Sequence, residues 1–538
     1  MEKILRGPKG FKVPNVSYGE FIYERLRNAP ERVVQIDAKS GETLTNHDLL
    51  KQSVILSKEL MRKNMKIDNT IMISSENSNN YFIAVCATIF TGACISPINP
   101  AYLEEEIRHC LNISKPQIIF VSRNTEKLIH RIVKSMMSNI ELIQLDDDTE
   151  LNGINTIRDI IKNSKEFLMN SDLLNFKPAN IPRPSEQEIV ILYSSGTTGL
   201  PKGVMLSSRN LLALWHAKTN IMFTKRLENA IYLVLLPFFH GYGFSLMMFI
   251  ITIGAQAIVM KSFQPELFCE SVEKYQVTTI PLVPPIMVFL AKHPLVSKYN
   301  FDSVEDLICG AAPLPIDVRK AVQERFGKNM NIRNGYGMTE LTVVASISPY
   351  NPKNIETIGC LLPGIDCKVI DPETSKSLGK HKTGELCFRG DFTMLGYKGD
   401  PEATSQTIDN YGWLHTGDLG YYDHDGYLFV VGRLKELIKF NGFQIAPAEI
   451  ENLLLTHVDV NDAAVFGQDH ETYGQIPVAL VVLKPNATAT PEQLCKFIND
   501  RVSPQKYLRG GVTIVKSIPK NPSGKILRRE LHKLVSKL

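Results

Sequence analysis

The chain has 538 residues, with 60 basic and 56 acidic side chains and a formal net charge of +4. This length exceeds what one hydrophobic core supports and predicts about two to four domains or subdomains. The balanced charge, with no long basic stripe interleaved with aromatic residues, argues against a nucleic-acid-binding protein. Nine cysteines, never in a Cys-x-x-Cys pair, indicate reduced thiols rather than a disulfide scaffold or a zinc site.

The first part of the chain alternates helical patterns with short apolar strands. Phe21–Leu26 is amphipathic, and Val33–Asp37 is a predicted strand. Thr45 is a capping residue that opens a helix, Thr70–Ser74 is a second strand, and Tyr81–Phe90 is a predicted buried helix. This alternation is typical of α/β layers with parallel sheets.

The segment Tyr193–Gly203 combines glycines, hydroxyls and one cation between two predicted strands, Glu188–Leu192 and Val204–Leu206. Such a loop can cradle phosphate, although a flexible surface turn is the alternative. It is not a Walker A loop, because that motif runs from Gly-Lys-Ser/Thr into a helix. The candidate phosphate-binding residues are Ser194, Ser195, Gly196, Thr197, Thr198 and Lys202.

This segment resembles the phosphate-binding signature of the acyl-adenylate-forming (AMP-binding) enzymes. That superfamily includes acyl-CoA synthetases, 4-coumarate–CoA ligases, beetle luciferases and peptide-synthetase adenylation domains. The resemblance extends from about Tyr18 to the terminus and is strongest to peroxisomal insect acyl-CoA synthetases and luciferases. It implies an α/β fold with a large N-terminal domain of layered subdomains, 1–432. A small mobile α/β domain, 433–538, is joined to the large domain by a hinge at Lys435.

Downstream motifs of the resemblance imply a nucleotide site. Tyr336 offers a face for adenine, Thr339 a hydroxyl for the α-phosphate, and Glu340 a hard oxygen ligand for Mg²⁺. Asp418 is suited to accept the ribose hydroxyls, and Arg433 to donate to them. The further ATP-binding residues that the resemblance implies are Gly310, Ala311, Ala312, Tyr336, Gly337, Thr339, Asp418 and Arg433, with Glu340 as the metal ligand.

The resemblance also implies an acid-binding pocket. His240 follows an apolar stretch, where a lone histidine is most often a satisfied core or surface residue, but the family has a histidine at the mouth of this pocket. The residues assigned to the acyl pocket are His240, Tyr242, Gly335, Val343 and Val344.

Two lysines of the small domain are the candidate catalytic cations, with His240 as a third catalytic candidate. Lys525, on a Pro/Gly-containing loop before a predicted helix, is expected to bridge the carboxylate and the α-phosphate. Lys439 and Gly442 are expected to form a CoA-facing surface that reaches the site after rotation about Lys435. The alternative for the basic residues near the terminus is a solvated, soluble tail.

The resemblance therefore implies an acid–thiol ligase that requires Mg²⁺ and consumes ATP and CoA. Beetle luciferases usually have paired histidines where this chain has Phe239-His240, and a small hydroxyl residue near Val343-Val344. These apolar replacements favour a medium- to long-chain fatty acid as substrate. A luciferase and a 4-coumarate-type aryl acid ligase remain the alternatives. A non-catalytic member is disfavoured, because Lys525, Glu340 and Asp418 are all retained.

The remaining predictions concern location. The first residues lack the apolar core of a secretory signal. The stretch Phe244–Met260 is interrupted by Gly254 and Gln256, which predicts a buried helix and a strand rather than a membrane span. Ser536-Lys537-Leu538 matches the tripeptide recognised by the peroxisomal import receptor and predicts a peroxisomal enzyme.

Overall fold

The structure of the chain is a computed structural model. It describes residues 3–10, 12–145, 153–164, 170–194, 200–218, 229–327, 330–350, 352, 354–441, 443–520 and 525–535. Strands and helices alternate over most of this range. The predicted phosphate-loop residues Ser195, Gly196, Thr197 and Thr198, the predicted Gly442 and the terminal tripeptide 536–538 lie outside the described residues.

The strands follow one another along the whole chain. In chain order they are β1 Ile4–Arg6, β2 Val33–Asp37, β3 Thr43–Thr45, β4 Thr70–Ser74, β5 Cys94–Ile98, β6 Ile118–Val121, β7 Glu141–Gln144, β8 Glu188–Ser194, β9 Lys202–Ser207, β10 Ile231–Val234, β11 Gln256–Val259, β12 Thr279–Leu282, β13 Asp306–Cys309, β14 Asn331–Tyr336, β15 Ser346–Ile347, β16 Cys360–Leu361, β17 Ile365–Ile370, β18 Ser377–Leu378, β19 Gly384–Gly390, β20 Gly396–Tyr397, β21 Leu414–Tyr422, β22 Leu428–Arg433, β23 Ile438–Phe440, β24 Phe443–Ile445, β25 Val460–His470, β26 Gly474–Leu483 and β27 Val512–Ile514.

The α-helices are concentrated in the first two thirds and in the small domain. They are α1 Tyr18–Arg27, α2 Asn46–Arg62, α3 Asn79–Phe90, α4 Glu104–Ser114, α5 Glu126–Ser135, α6 Ile157–Asn163, α7 Asn170–Asn175, α8 Ser208–Lys218, α9 Gly241–Ile253, α10 Pro265–Tyr275, α11 Pro284–Lys292, α12 Ile316–Phe326, α13 Pro401–Thr407, α14 Pro447–Leu455, α15 Pro491–Asn499 and α16 Arg528–Val535. Short 3₁₀ turns occur at Pro294–Lys298, Thr339–Leu341, Leu434–Glu436 and Pro504–Lys506.

Two large sheets form the body of the N-terminal part and share one hydrophobic core. One has the strand order β20-β9-β8-β5-β4-β6-β7, and the other β16-β15-β14-β13-β12-β10-β11-β2-β3. Their central pairs, such as β4 with β5 and β12 with β13, are parallel. The predicted α/β layering with parallel sheets is therefore confirmed.

A third sheet, with the order β1-β17-β19-β21-β22, is antiparallel throughout and has its own core. This sheet was not predicted from the sequence, because its short strands alternate with polar turns and lack a strong periodic pattern. Strand β22 leads directly into the 3₁₀ turn Leu434–Glu436, which connects to the last part of the chain.

The C-terminal part forms a smaller α/β unit. Its sheet has the order β24-β23-β26-β25, with β27 pairing with β26, and it packs helices α14 and α15 around a separate core. The predicted arrangement of a large N-terminal and a small C-terminal domain is confirmed. The boundary at residue 432 stays a prediction, and the small sheet begins at Ile438.

Local sequence accounts for several elements that the site depends on. Thr45 caps α2 by accepting the backbone N–H of Asp48, whose carboxylate receives the N–H of Thr45 in return. Nearly all residues of helix α9 are buried, and its sequence is accordingly apolar on all sides. It is followed by β11, as predicted, and no helix among the described residues is long and apolar enough to cross a bilayer.

Candidate functional site

The candidate site lies where the carboxyl ends of the parallel strands β10, β12, β13 and β14 meet the facing ends of β8 and β9. Loops that follow parallel strands converge at one edge of the sheet, where α/β proteins bind their ligands. A cavity of about 850 Å³ occupies this position. The linker Arg433–Lys435 and Lys525 of the small domain close one side of it.

Most of the predicted site residues that the structure describes line this single cavity. They are Ser194, Lys202, His240, Tyr242, Gly310, Ala311, Gly335, Tyr336, Gly337, Thr339, Glu340, Val343, Val344, Arg433, Lys435 and Lys525. Three described candidates do not line it. Ala312 lies outside the wall, Asp418 is buried behind Tyr336, and Lys439 is exposed on the small domain.

The phosphate-loop end of the cavity is organised around Tyr397. Ser194 and Lys202 are paired across the antiparallel strands β8 and β9, so the two ends of the loop face each other. The Lys202 ammonium lies 4.8 Å from the centre of the Tyr397 ring. The Tyr397 hydroxyl donates to Glu340 Oε1 at 2.9 Å, which connects the cation of the loop to the predicted metal ligand. No pattern in the sequence pointed to Tyr397.

A strained turn follows Glu340. Thr342 and Val343 have φ values of +49° and +82°, a region that β-branched residues rarely occupy. The turn packs so closely on Gly337 that a Cβ there would lie 2.0 Å from the Val343 carbonyl oxygen. This packing holds Val343 and Val344 against the cavity and explains the glycine.

His240 is positioned as the N-cap of α9. Its Nδ1 accepts the backbone N–H of Tyr242 at 3.3 Å, which leaves Nε2 as the ring donor when the imidazole is neutral. Burial, together with the positive charge of Lys525, lowers the pKa of His240 to about 4. The imidazole is therefore neutral near pH 7.

Lys525 reaches the cavity from the loop before α16, as the sequence predicted. Although the residue is exposed as a whole, desolvation and the nearby Arg433 guanidinium lower the pKa of its ammonium group. Three residues further on, Arg528 pairs with Glu436 of the linker at 2.7 Å and with Glu451 at 2.6 Å. These ion pairs anchor the base of the Lys525 loop.

Asp418 is held by two neighbours. The Tyr336 hydroxyl donates to Oδ2 at 2.7 Å, and Arg433 Nε donates to Oδ1 at 2.8 Å. Arg433 is thus an ion-pair partner of Asp418, and it also lines the cavity. A carboxylate has about four lone-pair positions. Both oxygens therefore retain capacity for a sugar hydroxyl.

The far wall of the cavity contains a buried ion pair that was not predicted from the sequence. Arg333 Nε donates to Asp306 Oδ1 at 2.9 Å, and its second nitrogen bonds Oδ2. The ring of Tyr350 lies 4.3 Å from the guanidinium carbon. Asp306 begins strand β13 and Arg333 lies inside strand β14, so no local pattern distinguishes the pair from surface charges.

Comparison with known proteins agrees with this geometry. The family model described as AMP-binding enzyme matches residues 22–398, and the AMP-binding enzyme C-terminal domain model matches residues 449–525. The chain therefore belongs to the AMP-binding enzymes and is an adenylate-forming enzyme of the acid–CoA ligase family.

Individual relatives fall into two groups. Luciferin 4-monooxygenase of Photuris pensylvanica is 35% identical over 543 residues, covering 100% of this chain and 98% of the relative. Probable 4-coumarate–CoA ligase 1 of Dictyostelium discoideum is 34% identical over 525 residues, covering 96% and 95%. Among solved structures, ATP-bound MatB from Rhodopseudomonas palustris superimposes with a TM-score of 0.86 at 24% identity, covering 97% of this chain and 99% of that one, and shares the fold.

Proposed function

We propose that the protein is an ATP- and Mg²⁺-dependent acyl-CoA synthetase that activates a medium- to long-chain fatty acid as acyl-AMP and transfers the acyl group to CoA. The observation that supports this most is the composition of the cavity. A neutral histidine, a lysine and a buried carboxylate share it with the apolar side chains of Leu246, Phe249 and Val343.

In the first step, a carboxylate oxygen of the acid attacks the α-phosphorus of ATP, and the bond to pyrophosphate breaks. An anion approaches a polyanion, so the main requirement is compensation of charge. The Lys525 ammonium is proposed to contact the carboxylate and the α-phosphate, and His240 to orient the carboxylate by donating from Nε2. Lys202 is proposed to hold the departing phosphates, and the Thr339 hydroxyl to contact the α-phosphate.

The residues around Glu340 fit Mg²⁺. Glu340 is a buried carboxylate, 5% exposed, and the Tyr397 hydroxyl orients one of its oxygens. Mg²⁺ prefers one or two carboxylates together with phosphate oxygens. When bound, the ion would neutralise charge on the phosphate chain of ATP.

In the second step, the CoA thiol attacks the acyl carbon, and the bond to AMP breaks. Lys525 occupies the cavity from one side, while Lys439 is exposed and outside it. We propose that the small domain turns about Lys435, which withdraws Lys525 and brings Lys439 and Gly442 to the thiol. The position of Lys435 on the cavity wall, between the two domains, supports this assignment.

The residues of the cavity wall near the reacting carboxylate support the proposed class of acid. Val343 and Val344 are apolar where luciferases usually have a small hydroxyl residue, and Phe239 stands where they usually have a histidine. Both replacements suit an alkyl chain. The relatives do not separate the alternatives, because the luciferase and the 4-coumarate-type ligase are 35% and 34% identical to this chain.

One observation favours a second candidate, an aryl acid or a luciferin. The Asp306–Arg333 pair and Tyr350 make the far wall polar, and a ring hydroxyl is a suitable partner for such groups. In that case the enzyme is a 4-coumarate-type ligase, or a luciferase that oxidises its adenylate with O₂.

A panel assay decides between these functions. The purified protein is incubated with ATP, Mg²⁺ and a series of fatty and aryl acids, with and without CoA, and AMP and acyl-CoA are measured. We expect CoA-dependent AMP release with fatty acids. A parallel reaction with luciferin and O₂ is read for photons. Strong light without fatty acyl-CoA, or acyl-CoA from aryl acids alone, would contradict the proposal.

We further propose that the enzyme works in peroxisomes, on the basis of Ser536-Lys537-Leu538. A fluorescent protein fused ahead of residue 1 is expected to accumulate in peroxisomes, and to stay diffuse when Leu538 is replaced by Asp. Identical diffuse fluorescence of both fusions would reject the assignment.

A further inference from the structure

The strand that presents Asp418 is irregular at the point where it meets the cavity. In the pairing of β19 with β21, Glu385 faces Leu419 and Cys387 faces His415. One residue of β19 therefore stands opposite three of β21, Thr416, Gly417 and Asp418. We call these three the Thr416–Asp418 bulge. Bulges of this kind bend a strand and redirect its side chains, often beside active sites.

A buried carboxylate satisfies the backbone of this bulge. Gly417 has a φ of +69°, and its N–H donates to Glu385 Oε1 at 2.9 Å. The Thr416 hydroxyl donates to the Leu386 carbonyl at 2.7 Å and accepts the N–H of Asp418 at 3.0 Å. Without the Glu385 acceptor, the Gly417 N–H would lose its partner beside the cavity.

The other carboxylate oxygen of Glu385 is held by His415. The distance from His415 Nδ1 to Glu385 Oε2 is 2.9 Å, and because a carboxylate only accepts, Nδ1 is the donor. On the other side of the ring, Nε2 lies 3.7 Å from Asp409 Oδ2. Glu385 and His415 both line the cavity, yet neither is needed for the proposed chemistry.

We infer that Glu385 and His415 form a positioning pair that shapes the Thr416–Asp418 bulge, so that Asp418 is presented to the ribose of the nucleotide. Neither residue reacts. Glu385 acts through the Gly417 N–H, and His415 acts by orienting Glu385. The inference rests on the proposed function only in taking the ribose as the ligand of Asp418.

The same groups have a second interpretation. Glu385, Cys387 and His415 offer ligand atoms that all lie within 4.8 Å of one another, a spacing that a metal ion accepts. The hydrogen bonds favour the positioning role, because both oxygens of Glu385 already have protein donors. Metal binding would instead appear as stoichiometric zinc in the purified protein.

The test measures binding of AMP and of 2′,3′-dideoxy-AMP by equilibrium dialysis, without any acid or CoA. For the wild type we expect clear preference for AMP, because only AMP has the ribose diol. Glu385→Gln and His415→Phe are expected to weaken AMP binding by about tenfold, the usual effect of a lost hydrogen bond to a charged group, and to leave dideoxy-AMP binding unchanged. Asp418→Asn should reproduce this pattern.

The matched control is Asp366→Asn, which removes an ion pair with Arg389 in the same sheet but away from the bulge. It should bind both nucleotides like the wild type, and thermal unfolding of every variant checks that the sheet is intact. Equal weakening of AMP and dideoxy-AMP in Glu385→Gln would overturn the inference, since a general loss of structure predicts that result. Absence of a preference for AMP in the wild type would also overturn it.

The zinc content of the purified protein tests the alternative that Glu385, Cys387 and His415 bind a metal ion. We expect no stoichiometric zinc in the purified protein and unchanged AMP binding in Cys387→Ser. Zinc at one equivalent that is lost together with AMP affinity in Cys387→Ser would replace the positioning pair by a metal site. Failure of the proposed acid–CoA ligation leaves these binding measurements valid, so the two failures are distinguishable.

Discussion

The hydroxyl of Tyr397 donates to Glu340 Oε1 at 2.9 Å, although the two residues are 57 positions apart in the chain. Glu340 is buried, so its orientation depends on such partners rather than on water. The ring of Tyr397 also lies beside the Lys202 ammonium, at 4.8 Å from its centre. Tyr397 therefore aligns the predicted metal ligand with the cation of the phosphate loop.

Tyr397→Phe should consequently raise the Mg²⁺ requirement. The variant keeps the ring against Lys202 but removes the hydroxyl that orients Glu340. Loss of a partner that orients a metal ligand typically costs about 10–100-fold in metal affinity. Mg²⁺ titration of AMP formation measures the shift, and the KM for the acid should change little. An unchanged Mg²⁺ dependence would contradict the role given to Tyr397.

Substitution of Lys525 and substitution of Lys439 should slow different half-reactions. Lys525→Ala is expected to slow acyl-adenylate formation by about 10²–10³-fold, the usual effect of removing one preorganised charge-stabilising group. It should leave thioester formation from supplied acyl-adenylate nearly intact. Lys439→Ala should show the opposite pattern. Equal losses in both half-reactions for both variants would refute the proposed rotation of the small domain about Lys435.

The rate of adenylation should decline at a lower alkaline pH than expected for a lysine with an ordinary pKa. Desolvation and the charge of Arg433 lower the pKa of Lys525, so its ammonium is lost as pH rises through this lowered value. Lys525→Arg keeps a charge throughout the range and should move the alkaline limb of the adenylation profile upward. The thiolation half-reaction of the wild type serves as the control. If its profile falls with the same limb, Lys525 is not the titrating group.

His240 should make the protein less stable in mild acid. Its pKa is about 4 in the folded protein and ordinarily 6.5, so between these values the unfolded chain binds more protons. The free energy of unfolding therefore falls as pH drops through this window. Urea unfolding should show a smaller fall for His240→Gln than for the wild type. His424→Gln, at an exposed position, is the control and should follow the wild type.

Replacing one member of the Asp306–Arg333 pair should lower the free energy of unfolding more than replacing both members. Both side chains are buried, 5% and 3% exposed. Arg333→Met leaves an unpaired buried carboxylate and should cost about 3–5 kcal/mol in urea unfolding, whereas the double variant Asp306→Leu/Arg333→Met should cost much less. The double variant should also favour plain alkyl acids over hydroxylated ones. Equal costs for the single and double variants would argue against the ion pair as the reason.

Much of the fold was predictable because its signals are local. Thr45, the apolar strands β4 and β8, and the all-apolar helix α9 each follow from patterns within about ten residues. The antiparallel sheet of β17, β19 and β21 was missed because its strands are joined by turns whose pairing depends on distant partners.

The candidate site was also predictable only in part. Lys202, His240, Thr339 and Lys525 lie in motifs that the sequence shows directly, and the structure brings them to one cavity. The role of Asp418 as acceptor of the ribose hydroxyls stays a prediction, and its hydrogen bond from Tyr336 and its pairing with Arg433 were not foreseen. Ala312 and Lys439 do not line the cavity, and the Lys439 side chain is exposed on the small domain.

The sequence by itself determined the family, the layered α/β architecture and the chemical types at the reacting centre, because these depend on short motifs and local periodicity. Only the tertiary structure decided which residues orient them. Tyr397 meets Glu340, Arg333 meets Asp306, and Glu385 meets the backbone of Gly417 across the sheet. Contacts of this kind depend on register and burial, and no pattern within a single segment encodes them.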